Sequence, residues 1–232
     1  MRLSSATWPE LDGRAPLVLV PLGSVEQHGR HLPLATDTVV AQVVAEAAVP
    51  VLTGAVLAPA LAYGASGEHE DFPGTISIGT EALTSLLVEH GRSALRWAGR
   101  LLVVNGHGGN LEALRTAVPL LRTEGRDVAW FPCGVPGGDA HAGRTETSVM
   151  LHVEPAAVRE ALAAAGATTP IAELLPRLRA EGVRAVSPDG VLGDPAGASA
   201  AEGAALLAAL TARLVAAVTR WSVDDGTGRL LP

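Results

Sequence analysis

The chain has 232 residues, 48% hydrophobic and 18% charged, with a formal net charge of −7; this is the profile of a folded globular protein with a sizeable core, not of a disordered one. All 17 basic residues are arginine and none sits in a basic block, which argues against a phosphate-neutralising surface for nucleic acid and excludes a Schiff-base lysine or a lysine-containing P-loop. Cys133 is the sole cysteine, so an internal disulfide and a thiolate metal cluster are both excluded.

Residues 1–15 read as a polar entry segment anchored by Trp8. Leu17–Leu22 is a continuous apolar run, the pattern of a buried parallel strand. A loop carrying Glu26, His28, His31 and Asp37 follows, and a helix is expected over Thr38–Ala48, ended by Pro50. Val51–Leu61 reads as a second strand, broken by Pro59. A polar loop over 63–75 then carries Glu68, His69, Glu70 and Asp71, and Thr75–Ile78 is a brief strand candidate. Thr80 is the expected N-cap of a helix presenting Leu83, Leu86, Leu87, His90, Ala94 and Trp97 on one face.

Leu101–Val104 is a further buried strand running into Asn105-Gly-His-Gly-Gly-Asn110. A helix over Leu111–Thr123 and a strand over Asp127–Phe131 come next. A Gly-rich loop over 136–146 carries His141 and Glu146 and leads into a short helix through Met150. Residues 155–181 read as mostly helical, 182–198 as turns, and Ser199 with Glu202 as the capping-box start of a last helix ending near Arg220. Strands alternating with helices predict a three-layer α/β/α fold with a mainly parallel central sheet; no composition shift divides it, and one domain over 1–232 is expected. The N-terminus lacks a basic-then-apolar signal pattern, and runs such as 204–210 fall short of a membrane span. A cytoplasmic protein without a membrane partner is the expectation.

The three strand-to-helix loops end in the same kinds of residue: Glu26, His28 and Asp37; His107; His141 and Glu146. In a parallel sheet the carboxyl ends of the strands share one edge, so these loops can converge there. Converged, they offer enough oxygen and nitrogen donors for two divalent ions sharing a carboxylate, a constellation suited to amide hydrolysis. A lone loop histidine is more often a hydrogen-bonding residue than a ligand, and loop carboxylates are more often solvated. On that ground His90 and His152 read as structural, while His31 and His69 stay open between support, substrate contact and solvation. The glycines around His107 would also suit an anion at a helix N-terminus, but neither G-x-G-x-x-G spacing nor a lysine is present. No G-x-S-x-G occurs, and Cys133 in apolar surroundings reads as inert.

Gly23-Ser-Val-Glu-Gln-His-Gly-Arg-His-Leu-Pro-Leu-Ala-Thr-Asp37, Asn105-Gly-His-Gly-Gly-Asn110 and His141-Ala-Gly-Arg-Thr-Glu-Thr-Ser148, in that order, resemble the three signature blocks of the creatininase family of metal-dependent amidohydrolases. The resemblance spans roughly 17–203. It implies that Glu26, Asp37 and His107 hold one metal and His28, Asp37 and Glu146 the other, with Asp37 bridging. It further implies that His141 passes a proton to the leaving amine while a metal-held hydroxide attacks the amide. Asn105 and Asn110 would fix the His107 loop, and Glu68, His69 and Trp130 would lie among support or substrate residues. Zinc or ferrous iron would be the metals, with manganese possible, and a homo-oligomer the assembly.

One departure is implied to matter: creatininase carries Glu two residues after the histidine of the second block, where this chain has Gly109. The change favours a larger substrate than a ring amide. The blocks at 63–80, 130–133 and 190–194 look most like a branch of the family that acts on a ribosomally made precursor of a redox cofactor. That likeness implies release of a decarboxylated, cross-linked C-terminal Val–Tyr unit from the precursor peptide. Hydrolysis of a small cyclic amide or formamide is the alternative within the family. A catalytically dead peptide-binding scaffold is the alternative outside enzymes, and it would require a lost ligand.

Overall fold

Alternation along two central strands decides which helices lie on which side. In the computed structural model, which describes residues 1–231, β1 (Leu17–Leu22) and β3 (Arg100–Asn105) pair in parallel from Leu17 opposite Arg100 to Leu22 opposite Asn105. Val18, Val20, Leu101 and Val103 point to one face, and Leu19, Leu102 and Val104 to the other. β2 (Ala55–Leu57) and β4 (Val128–Pro132) flank them, giving a four-stranded parallel sheet in the order β2-β1-β3-β4.

The first face is covered by α2 (Thr80–Ala94) and α3 (Leu111–Thr123), through Leu83, Leu87, Leu114, Ala117 and Leu121. The second is covered by α1 (Thr36–Ala48), α4 (Arg144–Val153) and α7 (Ala200–Arg220), through Val44, Ala45, Val149, Leu210 and Leu214. The fold is the expected three-layer α/β/α arrangement with a parallel sheet. Two short helices, α5 (Ile171–Glu181) and α6 (Val183–Val186), form a satellite around Leu174, Leu178, Val183 and Leu192, beside the turn at Gly67–His69.

The strand order sets the site. The chain leaves β1 for β2 on one side, then crosses back to β3 on the other. The connections leaving the carboxyl ends of β1 and β3 therefore run to opposite sides, which opens the crevice where open α/β sheets place their sites.

Several expectations need correction. α1 begins at Thr36, so Asp37 lies in its first turn and not in the preceding loop. The second strand shrinks to Ala55–Leu57, because Pro59 breaks its ladder; Ala58 and Leu61 still donate backbone hydrogen bonds to Leu19 and Pro21. Thr75–Ile78 contributes only an isolated bridge, Ile76 against Val25, and Gly79 is the cap before Thr80. Residues 155–170 are not helical beyond two 3-10 turns, since Gly166 and Ala167 donate to Gly193 and Val191 instead of to their own turn.

At Ser199 the side chain accepts from the Glu202 backbone as expected, but the Glu202 carboxylate turns to Arg144 and Ser148. α7 runs to Arg220 as expected, with Thr211 and Arg213 interrupting the apolar run 204–210 and not the helix. By length and composition it could cross a membrane (mean hydropathy 1.6); here it packs on the sheet against α1 and α4.

Leu102 is fully buried at the centre of β3, whereas Leu120 on α3 is 44% exposed. Leu102→Ala should cost about 2–5 kcal/mol in denaturant unfolding, and Leu120→Ala less than about 0.5 kcal/mol, at unchanged m-value.

Candidate metal centre

Two buried asparagines and one glycine bring the loops together. Asn110 donates to the Gly23 carbonyl (3.0 Å) and to Asn105 Oδ1 (3.1 Å), while its own oxygen accepts from the Ala65 amide (2.9 Å). Asn105 in turn donates to the His107 carbonyl (2.7 Å). One asparagine thus ties the loop after β1, the loop after β2 and the His107 turn, and both asparagines hold the His107 turn. Gly106 lets the end of β3 abut the first turn of α1: any side chain there would collide with the Asp37 carbonyl.

At the centre lies Asp37, 2% exposed, with one oxygen facing each of two imidazoles. Oδ1 is 3.2 Å from His28 Nε2, and Oδ2 is 3.2 Å from His107 Nδ1. Oδ2 also accepts from Ser24 Oγ (2.5 Å), and the position in the first turn of α1 favours a negative charge. His28 Nδ1 donates to the Glu26 carbonyl (3.1 Å). This orients Nε2 toward Asp37 and toward Glu146 Oε2 at 3.8 Å, a common arrangement for an imidazole that ligates a metal.

Glu26 decides what the cluster is suited to hold. It is fully buried, yet neither carboxylate oxygen receives a hydrogen bond. His107 Nε2 comes within 3.1 Å of Glu26 Oε2, but its N–H is directed to the Ala65 carbonyl at 3.2 Å. A buried carboxylate without donors is costly unless a cation faces it. Glu26, His28 and Asp37 converge closely enough to share one ion, as do His28, His141 and Glu146. The residues present therefore fit divalent metal.

The protons on the remaining histidines follow from their partners. His141 Nε2 lies 2.7 Å from the Gln27 carbonyl, which can only accept, so this nitrogen carries the proton and Nδ1 presents its lone pair toward Glu26, 3.7 Å away. The Gln27 side-chain amide then donates to Gly190 O (3.0 Å) and to His69 Nδ1 (2.9 Å), leaving the proton of His69 on Nε2, which lies 3.4 Å from Glu26 Oε1 without forming a hydrogen bond to it. The His141 ring lies between those of His28 (centroids 4.2 Å apart) and His69 (4.5 Å), tilted against both.

Charge is distributed accordingly. Burial works against the charged form of His28, but the Asp37, Glu146 and Glu26 carboxylates outweigh it and raise its pKa to about 10. His107 is raised for the same reason, by Glu26 and Asp37 against burial. His141 is pushed well below its ordinary value by burial and by the charge on His28, and burial takes His69 down to about 4. Both are neutral near pH 7. Burial lifts Glu146 to about 7.

Of the residues singled out in the sequence, the fold gathers Glu26, His28, Asp37, His107, His141, Glu146, Glu68 and His69 in one crevice. His31 lies behind it, fully buried and bonded to Thr147 Oγ1 (2.9 Å). Trp130 is a correction: it sits in β4 facing α2 and α3, 2% exposed, with its indole N–H satisfied by the Thr227 carbonyl, so its side chain is part of the core. Gln27 and Ser24 were missed. Neither is a ligand type; their only signal was position, flanking Glu26 inside the first block.

A family model described as creatinine amidohydrolase matches residues 4–218. The chain belongs to the creatininase family. With it come the enzymes that hydrolyse amide bonds. Among its relatives, a mycofactocin precursor peptide peptidase from Mycolicibacterium smegmatis is 55% identical, over 96% of this chain and 92% of that protein. Another of that description from Mycobacterium tuberculosis is 56% identical, over 94% and 91%. A solved mutant creatininase of Zn–Zn type superposes with a TM-score of 0.79 at 25% identity, covering 95% of this chain and 97% of the other.

Because His28 and His107 are held protonated without an ion, divalent metal must displace those protons. Apparent affinity should rise between pH 6 and pH 9, by about tenfold per pH unit for each displaced proton. Chelator competition across that range, together with proton release in weak buffer, checks this; a flat profile contradicts it.

Proposed function

We propose that this creatininase-family enzyme is a metal-dependent peptidase that releases the decarboxylated, cross-linked Val–Tyr unit from the C-terminus of the mycofactocin precursor peptide. The buried, donor-less carboxylate of Glu26 at the β1–β3 crevice carries the metal-dependent part of this reading. The substrate rests on the likeness, over nearly the whole chain, to the mycofactocin precursor peptide peptidases.

In this reading Glu26, Asp37 and His107 hold one divalent ion, and His28, Asp37 and Glu146 the other. The donor set of imidazoles and carboxylates suits zinc or ferrous iron and admits manganese. When bound, such ions supply Lewis acidity and lower the pKa of a coordinated water to near neutrality. His141 offers the unprotonated Nδ1 that accepts a proton on the site side and delivers it to the leaving amine. The Gln27 carbonyl fixes the other end of its ring. Asn105 and Asn110 keep His107 in place. Gly109 does not open the site as the missing side chain suggested, because the Ala65 carbonyl, the His107 ring and Glu68 take up that space.

The proposal extends to one domain, a cytoplasmic location and a homo-oligomer. The exposed alanines 205, 208, 209, 212 and 216 on α7 are compatible with a face covered by a second subunit.

Mass spectrometry of the modified precursor peptide after incubation with metal-loaded protein should show loss of the Val–Tyr unit. His141→Ala should lower kcat by about 10²–10⁴-fold with both ions retained. Asp37→Asn should lose both ions, and His28→Ala mainly one. Turnover of creatinine or a formamide with an intact precursor peptide would overturn the peptidase reading.

A further inference from the structure

The Nε2 edge of His107 faces more oxygen than one N–H can serve. Glu26 Oε2 lies 3.1 Å away, the Ala65 carbonyl 3.2 Å, Ser66 Oγ 3.4 Å and Glu68 Oε1 3.6 Å. The N–H satisfies Ala65, which leaves the carboxylates of Glu26 and Glu68 on the same side of the ring without a hydrogen between them. Glu26 is fully buried there, with both oxygens unpartnered. Among the described residues, His107 is the one cationic side chain paired with Glu68. Two carboxylates thus face one imidazole edge whose single N–H goes to a third acceptor.

Glu68 reaches this point through a space that exists because residue 109 is glycine. A Cβ on Gly109 would collide with the Ala65 carbonyl and the His107 ring, and would stand 2.7 Å from Glu68 Oε1. The loop over Gly109 is not free to give way. Its Ala65 amide is held by Asn110 (2.9 Å), its Ser66 amide by Ser77 Oγ (2.9 Å), and its Gly64 carbonyl by the Ile78 amide (3.0 Å). The Gly67–His69 turn is closed by His69 N to Ser66 O (3.0 Å), and α5 and α6 pack behind it. With this loop in place a side chain can enter the Nε2 edge from position 68 or from position 109, and not from both. The Glu68 side chain is 31% exposed, so it forms the solvent-side wall of the site, while Glu26 forms the buried wall.

We propose that Glu68 is a further metal ligand, completing the donor set of the ion at the Glu26–His107 end from the loop after β2, in the space that a side chain at position 109 would otherwise fill. This rests on the metal reading above and adds to it a residue from a fourth part of the chain. It also means that the ion at the Glu26–His107 end holds the loop carrying His69 against the crevice.

The test is Glu68→Gln, with Glu68→Asp and Gly109→Ala beside it, in full-length protein loaded with Zn²⁺ or Co²⁺. Chelator competition should show one ion weakened by about tenfold or more in Glu68→Gln and the second ion unchanged. The visible Co²⁺ spectrum should change at one site only. Glu68→Asp should fall between Glu68→Gln and wild type, and Gly109→Ala, which forces the Ala65 carbonyl outward, should weaken the same ion. Wild-type protein binding two ions while Glu68→Gln matches it in both affinities and in spectrum would overturn the Glu68 assignment alone. Wild-type protein binding no divalent ion would overturn the metal reading and this inference together.

Discussion

Asp37 is the constraint from which the rest of the site follows. It is a carboxylate buried at 2% exposure with an imidazole on each oxygen. Burial raises the cost of its charge, and His28 and His107 reverse that cost and hold its pKa well below the ordinary value. Such an arrangement is costly to leave unpaired, so each element around Asp37 is fixed by what it must bring there: His28 from the loop after β1, His107 from the turn after β3, and Ser24 as a hydroxyl donor to Oδ2. Its place in the first turn of α1 adds the partial positive charge of a helix start.

The fold supplies the geometry at little local expense. Parallel pairing of β1 with β3, in register from Leu17–Arg100 to Leu22–Asn105, puts the two loop exits side by side. Asn110 then joins those exits to the loop after β2 with three hydrogen bonds. The acid–base assignment also follows from contacts that are not themselves reactive. The Gln27 carbonyl fixes the proton on His141 Nε2, and the pressure of burial and of His28 keeps the ring neutral. Two neighbouring histidines thus carry opposite states, His28 charged and His141 not, because the carboxylates outweigh burial at His28 while burial and the charge on His28 prevail at His141.

Where periodicity is clean, the elements are legible in the chain: Leu17–Leu22 and Leu111–Thr123 begin and end where their patterns do. The donors were legible too, since metal-ligating residue types at the ends of apolar strands converge in any parallel sheet. What escaped has physical reasons. Composition does not show that residues 155–170 spend their backbone hydrogen bonds on the 191–193 segment instead of on a helix. Trp130 follows the alternation of β4 into the core, a fact visible only once its register against Val103 is known. Gln27 and Ser24 act through hydrogen bonds to residues far along the chain or on another element, and no spacing rule encodes those. Gly109 was legible as a missing side chain; that Glu68 lies in its place was not.

The central claim is that two divalent ions share Asp37. Anomalous diffraction from crystals of the zinc-loaded protein, measured on both sides of the metal edge, tests it directly. Two peaks about 3.5–4 Å apart, one on each oxygen of Asp37, are the predicted result. A single peak, or two peaks with Asp37 touching only one of them, would contradict it.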